Sequence, residues 1–438
     1  MIIFSLPRYL TTKYQLTDDA FILRRGVFRR QLLHINYNKI QTVQREQWFF
    51  LRPFKLESLL IETAAKSSGD EPEVKLAVVS MALGAELERR RQRAKQPNVA
   101  VTMPEVRVAE GEADDDAPTA WTYQHTLSLG ELVKYAITSL GFIPSILAVL
   151  AALQYVDDVP IVAHWMNQNL AHLAVVTVIM MVVSSVLMGV LISFGILMAR
   201  YWRFTVQFDG STVATKKGLF RTNSVSAPVR RIQAVRFQQN IIRGLLKRGT
   251  AQVVLASAVG KAENDDDMVL YPMLTKHDVW RRLHRLVSWL PGDQPTFTTF
   301  KTGRIAIVRN TVWFPLLVAG VLTYFFHYWG LLAFIWVAYT LACALFAVHA
   351  RGAVVSDNIL FISSGSMLVR SEFAVTRSHV QSLEVRQSWW MKKTKLVHVV
   401  VHVRKGDGDE EVKLEYVPEA MGRQLYTWYL GPAALASL

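Results

Sequence analysis

A short pattern that occurs three times along the chain constrains its architecture more than any other sequence feature. In each copy an aliphatic residue precedes a glutamine, a second aliphatic residue follows two positions after it, and another glutamine stands six positions after the first. The copies, called signatures below, are NKIQTVQREQ at 38–47, VRRIQAVRFQQ at 229–239 and RSHVQSLEVRQ at 377–387. They lie much further apart than the roughly 20–50 residues of a solenoid repeat, so each signature predicts a separate domain-sized module.

Each signature stands at a similar place in a series of predicted strands. Alternating apolar residues and a turn, at Asp18-Asp19, Asp209-Gly210 or Asp357-Asn358, predict a strand hairpin upstream of it. Further strands follow the signature, and each series ends in a predicted helix, at 82–96, 276–290 and 418–430. Strands closed by one helix are typical of an α+β or barrel-plus-helix module.

The glutamines of the signatures are expected to have a structural role. At a barrel corner, a side-chain amide can satisfy backbone groups that the strands leave unpaired. We interpret the whole set as structural rather than ligand-binding: Gln41, Gln47, Gln233, Gln239, Gln381 and Gln387.

Long uncharged stretches separate the modules. Residues 135–156 and 173–199 contain no charged side chain, and 310–350 contain none apart from histidines. Each span needs about 20 apolar residues to cross a bilayer, so the first two stretches predict one helical hairpin and the third a second hairpin, with its turn at 327–330. A chain that is 51% hydrophobic and only 19% charged is shifted toward the membrane class. The sequence therefore predicts four transmembrane helices.

A stripe of small residues runs along the second of these stretches. Ser185, Gly189 and Ser193 repeat every four positions, which would let another helix approach closely and would support a homo-oligomer. An equally simple interpretation is that these small residues are scattered in an apolar helix and have no role in helix packing.

The distribution of basic residues predicts the orientation of the chain. The two predicted loops on the far side, 157–169 and 327–330, contain no Lys or Arg. The flanks on the near side carry Lys134, Arg200, Arg203, Arg304, Arg309 and Arg351. By the positive-inside rule all three modules face the cytoplasm, and the net charge of +14 needs no nucleic-acid partner to explain it.

An acidic, proline-containing stretch at 97–119 predicts a flexible tether rather than a metal site, since a run of charge is usually solvated. The predicted division is a first module at 1–96, a linker at 97–130, a transmembrane hairpin at 131–200, a second module at 201–292, a linker at 293–309, a second hairpin at 310–350 and a third module at 351–438.

The order of these parts resembles the bacterial pleckstrin-homology (PH) domain proteins of the membrane-flanked YdbT type. The resemblance rests on the sequences YNKIQTV, PVRRIQAV and TRSHVQSL, each set between a strand hairpin and a closing helix and alternating with membrane hairpins. It implies a PH-like fold for each module, a partly open barrel of about seven strands capped by a C-terminal helix. Proteins of this type commonly carry a further membrane hairpin before the first module, and this chain starts where that hairpin would end.

The segment after each signature is the candidate contact surface. These post-signature segments, QWFFLRPFK at 47–55, QNIIRGLLKR at 239–248 and QSWWMKKTK at 387–395, combine bulky apolar residues with Lys or Arg. That composition is typical of a surface that touches an anionic bilayer, although the apolar members could instead fill the barrel. Under either interpretation the predicted surface contacts are Arg52, Lys55, Arg243, Lys247, Lys392 and Lys393.

Sequence motifs for catalysis are missing. The chain has no Walker-type loop, no HExxH and no GxSxG, and its one cysteine, Cys343, can form no internal disulfide. Two histidine pairs, His164 with His172 and His398 with His402, lack a carboxylate or cysteine at ligand spacing, so no metal or other cofactor is expected. The spans contain no acidic or basic residue to mark an ion path.

These observations favour a non-enzymatic scaffold of the bacterial inner membrane that presents three cytoplasmic PH-like modules to protein, peptide or anionic lipid. The resemblance implies a role in cell-envelope maintenance or in stress and antimicrobial defence. Besides the lipid bilayer, the resemblance implies a smaller one-module relative as a partner, and the small-residue stripe predicts a second copy of the chain as another. The alternative is a component of a membrane transport or export assembly, with the modules as assembly or gating elements.

Overall fold

The computed structural model describes residues 12–25, 31–63, 74–95, 121–139, 171–256, 267–300, 302–406 and 408–431. The first module contains β1 (Lys13–Leu16), β2 (Ala20–Arg25), β3 (Gln31–Asn36), β4 (Ile40–Trp48), β5 (Leu56–Thr63), β6 (Val74–Ser80) and α1 (Met81–Lys95). Strand β7 (Tyr123–Thr126) and helices α2 (Leu129–Ile137) and α3 (Ala171–Arg200) connect it to the second module.

The second module comprises β8 (Thr205–Phe208), β9 (Thr212–Lys217), β10 (Arg221–Pro228), β11 (Ile232–Asn240), α4 (Ile241–Leu245), β12 (Arg248–Leu255), β13 (Met268–Thr275) and α5 (Val279–Leu286). Strand β14 (Thr298–Thr299), α6 (Arg304–Phe326) and α7 (Ala333–Ala350) follow. The third module comprises β15 (Gly352–Ser356), β16 (Ile359–Ser366), β17 (Val369–Thr376), β18 (Val380–Arg386), α8 (Trp389–Thr394), β19 (Leu396–Lys405), β20 (Gly408–Pro418) and α9 (Glu419–Leu430).

Each module is built from two antiparallel sheets that its signature connects. Three strands form the first sheet, a single 3-10 turn (Tyr37–Lys39, Val229–Arg231 or Arg377–His379) redirects the chain, and the signature strand then begins the second sheet. The alternation of the strands turns one face of each sheet inward, where the closing helix covers it. In the first module Phe21 and Leu23 of one sheet thus meet Leu59 and Ile61 of the other, all nearly fully buried. The prediction of repeated modules with PH-like β-sheets is therefore confirmed, and a helix follows the strands of each.

The sheets do not end at module boundaries. Strand β4 of the first module pairs antiparallel with β10 of the second, with Ser226 opposite Val43. Strand β11 of the second pairs in the same way with β17 of the third, with Ala374 opposite Val235. Two seven-stranded sheets result, in the orders β6-β5-β4-β10-β9-β8-β7 and β13-β12-β11-β17-β16-β15-β14. Within the described residues each module has six strands, and β7 and β14 each extend a sheet, which is close to the expected number of about seven. The pairing of strands between neighbouring modules was not expected.

The second and third modules also share their hydrophobic cores. Phe361 and Ala374 of the third module lie in the core of the second, where Trp280 of α5 meets Phe361 edge-to-face at 5.3 Å between ring centroids. In the opposite direction, Ala234 and Val254 of the second module lie in the core of the third. Because strand pairing and apolar burial both cross this boundary, the second and third modules are held as one packed unit.

A buried arginine contributes to the joint between the first and second modules, where "joint" means the contact between two neighbouring modules. Arg91 of α1 is fully buried, and its Nη2 donates to Ser226 Oγ on β10 at 2.6 Å and to Glu88 Oε1 at 2.5 Å. The hydroxyl of Ser226 donates in turn to Glu88 Oε1 at 2.8 Å. A buried guanidinium is stable only when paired and hydrogen-bonded, and this group is both.

The membrane hairpins are inserted between paired strands. Strand β7 pairs with β8 before and after the first hairpin, and β14 pairs with β15 around the second. Both ends of a hairpin are therefore held side by side at a sheet edge. Among the described residues, three helical segments are long and apolar enough to cross a bilayer: Ile179–Arg200, Arg304–Phe326 and Gly330–Ala350. The 3-10 turn His327–Leu332 lies where the turn of the second hairpin was predicted.

Some boundaries differ from the predicted division. Strand β7 and the start of α2 fall within the predicted linker 97–130, and β14 falls within 293–309. Helix α6 starts at Arg304 rather than at residue 310, because basic side chains can reach the polar interface from the first turns of a membrane helix. The acidic stretch 97–119, the loop 157–169 and most of the first predicted span lie outside the described residues.

Candidate membrane-contact site

The three post-signature segments end in the same backbone conformation. Lys55, Lys247 and Lys395 have φ angles of 53°, 52° and 52°, in the left-handed region that non-glycine residues rarely adopt. Their carbonyls accept hydrogen bonds from the backbone nitrogens of Met81, Lys276 and Glu419, at 2.9, 2.8 and 3.0 Å. The end of each segment thereby fixes the start of the closing helix.

The second glutamine of each signature holds its segment closed. The Nε2 atoms of Gln47, Gln239 and Gln387 donate to the carbonyls of Leu56, Arg248 and Leu396, at 3.1, 2.8 and 3.1 Å. Each bond connects the last part of the signature strand to the first residue of the next strand. This is a structural contact, repeated in all three modules.

The first glutamine of each signature stands at an irregularity of the ladder. The register of pairing shifts between Ile40 and Thr42, between Ile232 and Ala234, and between Val380 and Ser382. The glutamine at the centre is therefore the residue of a bulge. Among the three side chains, that of Gln233 donates to the carbonyl of Arg231 at 3.4 Å, whereas Gln41 is buried and Gln381 is exposed.

The second post-signature segment packs on the base of the first membrane hairpin. Asn240 Nδ2 donates to the carbonyl of Thr138 at 2.7 Å, and Arg243 donates to Thr138 Oγ1, Thr250 Oγ1 and the carbonyl of Tyr135. The guanidinium also lies over the Tyr135 ring, 4.3 Å from its centroid. Burial lowers the pKa of Arg243 from its ordinary value, and Tyr135 opposes that effect.

The prediction that Arg243 is a surface contact is corrected by this geometry. Only 8% of the residue is exposed, because the start of the hairpin covers it. Its guanidinium supplies hydrogen bonds at a place where a helix entering the membrane leaves backbone carbonyls unpaired. Arg243 is therefore an attachment residue between module and hairpin.

The third post-signature segment contacts the second hairpin in the equivalent way. Met391 is fully buried among Ile307 of α6 and Ala344 and Val348 of α7. The guanidinium of Arg309 lies 5.4 Å from the ring centroid of Trp390. Lys392 and Lys393 are exposed beside this contact, as predicted for surface residues, and Lys247 is exposed in the second segment.

The first post-signature segment packs on the second module. Arg52 Nη2 donates to the carbonyl of Leu219 and to Thr222 Oγ1, each at 2.6 Å, so this exposed residue also connects two modules. The backbone nitrogen of Phe49 donates to the carbonyl of Phe220 at 2.7 Å. Leu219 in turn donates to the carbonyl of Ala199, in the last turn of α3, at 2.8 Å. The segment is thus tied to the end of a candidate membrane span.

A group of exposed aromatic side chains lies on this first segment and on the adjoining turn. Phe49, Phe50, Phe54 and Phe220 are 56%, 53%, 72% and 59% exposed and are called the aromatic patch below. Lys55 is exposed next to it. Aromatic rings and basic residues at the end of a membrane span are typical of the boundary between lipid and water.

The other predicted residues are distributed as follows. In α3, Ser185 is exposed and Gly189 and Ser193 are partly exposed. His398 and His402 have different partners: His398 accepts from the backbone nitrogen of Tyr416 at 3.3 Å, and His402 Nδ1 lies 2.5 Å from Asp409 Oδ2. His164 and His172 give no test of a shared site, because residue 164 lies outside the described residues and the side chain of residue 172 is undescribed.

Carboxylates near His402 were not visible from sequence spacing. His402, Asp409 and Glu411 bring one potential ligand atom each within 4.8 Å of one another. Both acids are exposed, and Glu411 pairs with Lys413 at 2.6 Å. The cluster is therefore an open group of ion pairs on the outer face of β19 and β20.

The fold and the sequence together define a membrane protein with repeated PH-like domains. A family model described as "Bacterial PH domain" matches residues 1–95, 146–287 and 312–433, and the chain belongs to this family. It is similar to the UPF0699 transmembrane protein YdbT of Bacillus subtilis (strain 168), with 24% identity over 97% of this chain and 86% of that protein. The expected resemblance is confirmed.

Proposed function

We propose that this chain is a non-enzymatic scaffold of the bacterial cytoplasmic membrane. Four transmembrane helices hold its PH-like modules on the cytoplasmic side, where the aromatic patch and the nearby basic residues bind the surface of an anionic bilayer. The platform so formed would serve cell-envelope maintenance or stress defence, in accordance with the resemblance to YdbT-type proteins.

The observation that carries the proposal is the position of the aromatic patch. Through Leu219 it is hydrogen-bonded to Ala199, and no side chain of α3 from residue 179 to 200 is fully buried, although Leu197 and Met198 pack against the core of the second module. Exposed phenylalanines are costly in water, and burying each in an apolar environment contributes roughly 1.5–3 kcal/mol. Insertion of the patch into the headgroup region removes that cost, and a lysine such as Lys55 adds about 1 kcal/mol on an anionic surface.

The shared sheets favour a scaffold. Continuous strand pairing crosses both joints between modules; the Arg91–Ser226 hydrogen bond reinforces the first and a shared apolar core the second, so the three modules form a firm surface instead of independent domains on tethers. Each of the second and third modules is attached to its hairpin through its own post-signature segment. Such an arrangement suits a platform that keeps a fixed distance from the bilayer.

Depth-sensitive fluorescence in nanodiscs tests the proposal. In a Cys343→Ala background, Phe54→Cys is labelled with bimane and the full chain is placed in nanodiscs rich in phosphatidylglycerol. We expect blue-shifted emission and quenching by nitroxide-labelled lipid. Arg423→Cys on the exposed side of α9 is the matched control and should report water.

The contribution of charge is measured in the same system. Replacing Lys55 with Gln should reduce the difference between discs of phosphatidylglycerol and discs of phosphatidylcholine, by about fivefold in the equilibrium between inserted and free states. A label at position 54 that reports water in both lipids would refute the bilayer-contact proposal.

A further inference from the structure

Two strands at opposite ends of the module series lack the partner that their counterparts have. Strands β10 and β17, which precede a signature, each pair with the signature strand of the module before them, β4 and β11. Strand β3 also precedes a signature, and β18 is also a signature strand. Within the described residues, β3 is an edge of the sheet β1-β2-β3 and β18 is an edge of the sheet β18-β19-β20.

Side chains on these two edges are exposed where their counterparts are buried. Leu32 on β3 is 72% exposed, whereas Glu372, at the same position of β17, is fully buried. Val385 on β18 is 40% exposed, whereas Phe237, at the same position of β11, is fully buried. An exposed apolar edge strand is a template for pairing with another chain.

We propose that β18 of one chain pairs with β3 of a second copy and forms a third joint like the two internal ones. The repeat identifies the partner strand. At both internal joints a signature strand, the counterpart of β18, pairs with a strand that precedes a signature, the counterpart of β3. The register follows as well. His34 occupies the position of Ser226 and Ala374, and Leu383 that of Val43 and Val235, so His34 lies opposite Leu383.

This register brings the exposed apolar residues together. Two residues further along the same pair of strands, Leu32 lies opposite Val385, as Glu372 lies opposite Phe237 in the second internal joint. Apolar cross-strand pairs contribute to sheet stability, and this pair would bury both side chains. If the pairing were shifted by one residue, or by any odd number of residues, the side chains of Leu32 and Val385 would lie on opposite faces of the sheet.

The closing helix of the third module is also positioned for such a joint. In the first module Arg91 donates to the carbonyl of Gln41 and reaches across to Ser226 of the next module. In the third module the phenol of Tyr429 donates to the carbonyl of Gln381 at 3.1 Å and so occupies the place of Arg91. Across the proposed joint the residue at the position of Ser226 is His34, which can hydrogen-bond a phenol.

The two halves of this interface lie on different ends of the molecule. An interface between unlike surfaces is heterologous, so an open assembly of any length keeps one free edge of each type at its two ends. Association therefore continues until a ring closes or a linear array forms in the plane of the membrane. All modules remain on one side of the bilayer, because both edges belong to modules that lie on that side.

Disulfide crosslinking between two tagged copies tests the proposal. Both copies carry Cys343→Ala; one carries Leu32→Cys and the other Val385→Cys, and both are expressed in the same cells. Oxidation of native membranes should give a mixed disulfide that contains both tags. Neither variant alone should give this product. Arg45→Cys with Ser224→Cys in one chain is the matched positive control, since these residues lie opposite each other in the first internal joint.

A charge on the edge provides a second measurement. Leu32→Lys should abolish oligomers of the full chain on native gels, because a lysine on an edge strand blocks pairing. Tyr14→Lys is the control, since Tyr14 is exposed on β1, the other edge of the same sheet, and oligomers should persist. The proposal is refuted if the positive control forms without the mixed disulfide, if position 32 crosslinks to itself, or if position 385 captures a different protein. It is independent of lipid binding, since the aromatic patch takes no part in it.

Discussion

Single side chains of the signature show why glutamine recurs. Gln47, Gln239 and Gln387 each bridge from the end of a strand to the carbonyl that follows a post-signature segment. The side chain must be long enough to cross the width of the segment and must end in a donor. Glutamine meets both conditions without placing a charge in a partly buried site.

The contribution of the Gln239 hydrogen bond to the free energy of unfolding can be measured by comparison with Gln381, the first glutamine of another signature. Gln239→Ala removes a donor from the carbonyl of Arg248 in a buried environment, so we expect a loss of about 1–3 kcal/mol in the free energy of unfolding. Gln381→Ala, at an exposed bulge, should change that energy by less than about 0.5 kcal/mol. Thermal unfolding of the full chain in nanodiscs measures both. Equal destabilisation by the two variants would contradict the assigned roles.

Arg243 shows what the sequence could not reveal about individual residues. The post-signature segment around it has the composition of a surface, and Lys247, four residues later, is indeed exposed. Arg243 is buried because Tyr135 and Thr138, more than one hundred residues earlier, fold over it. Local composition contains no information about a contact of that sequence separation.

Strands and helices were largely predictable in kind, whereas their partners were not. Periodicity identified the signature strands and the closing helices, because one face of each is buried whichever sheet it joins. The same periodicity is compatible with β4 pairing inside its own module or with β10 of the next. Strands β7 and β14, of four and two residues, are too short and too polar to give any periodic signal.

A group of charges crosses the second joint between modules and should make it sensitive to pH. Arg236 on β11 pairs with Asp267 at 2.8 Å and with Glu410 on β20, and Lys405 on β19 pairs with Asp267 at 3.0 Å and with Glu410 at 2.9 Å. Burial alone would raise the pKa of Glu410, but Arg236 and Lys405 outweigh burial and hold that pKa below its usual range. A carboxyl group whose pKa is lower in the folded state stabilises the fold at neutral pH.

That stabilisation is present at neutral pH and is lost as the pH falls through the folded-state pKa of Glu410, which lies below its usual range. We expect Glu410→Gln to reduce the free energy of unfolding by about 1.5–3 kcal/mol at pH 7. The difference between wild type and variant should shrink as the pH is lowered toward 3. Glu411→Gln, which changes a fully exposed neighbour, should show no measurable effect at either pH. Thermal unfolding across this pH range distinguishes the two, and a constant difference for Glu410→Gln would exclude the linkage.

For the molecule as a whole, the insertion of membrane hairpins between paired strands determines how the chain crosses the bilayer. Strands β14 and β15 lie side by side at the two ends of the second hairpin, so the polypeptide must return to the side from which it left. Helices α6 and α7 satisfy this with an even number of crossings and a turn at His327–Leu332. By the positive-inside rule, the basic flanks Arg304 and Arg309 predict that the modules face the cytoplasm.

Labelling of single cysteines in intact cells tests this orientation. In the Cys343→Ala background, Tyr328→Cys in the turn of the second hairpin should react with a membrane-impermeant maleimide without permeabilisation, since Tyr328 is 87% exposed and the positive-inside rule predicts that this turn lies on the far side. Met367, in a turn of the third module, is 74% exposed. Met367→Cys should react only after the membrane is permeabilised. The two positions are similarly accessible, so a difference in labelling reports the side of the membrane. Labelling of Met367→Cys in intact cells would overturn the cytoplasmic placement of the modules, whereas equal protection of both positions would place the turn inside the cell.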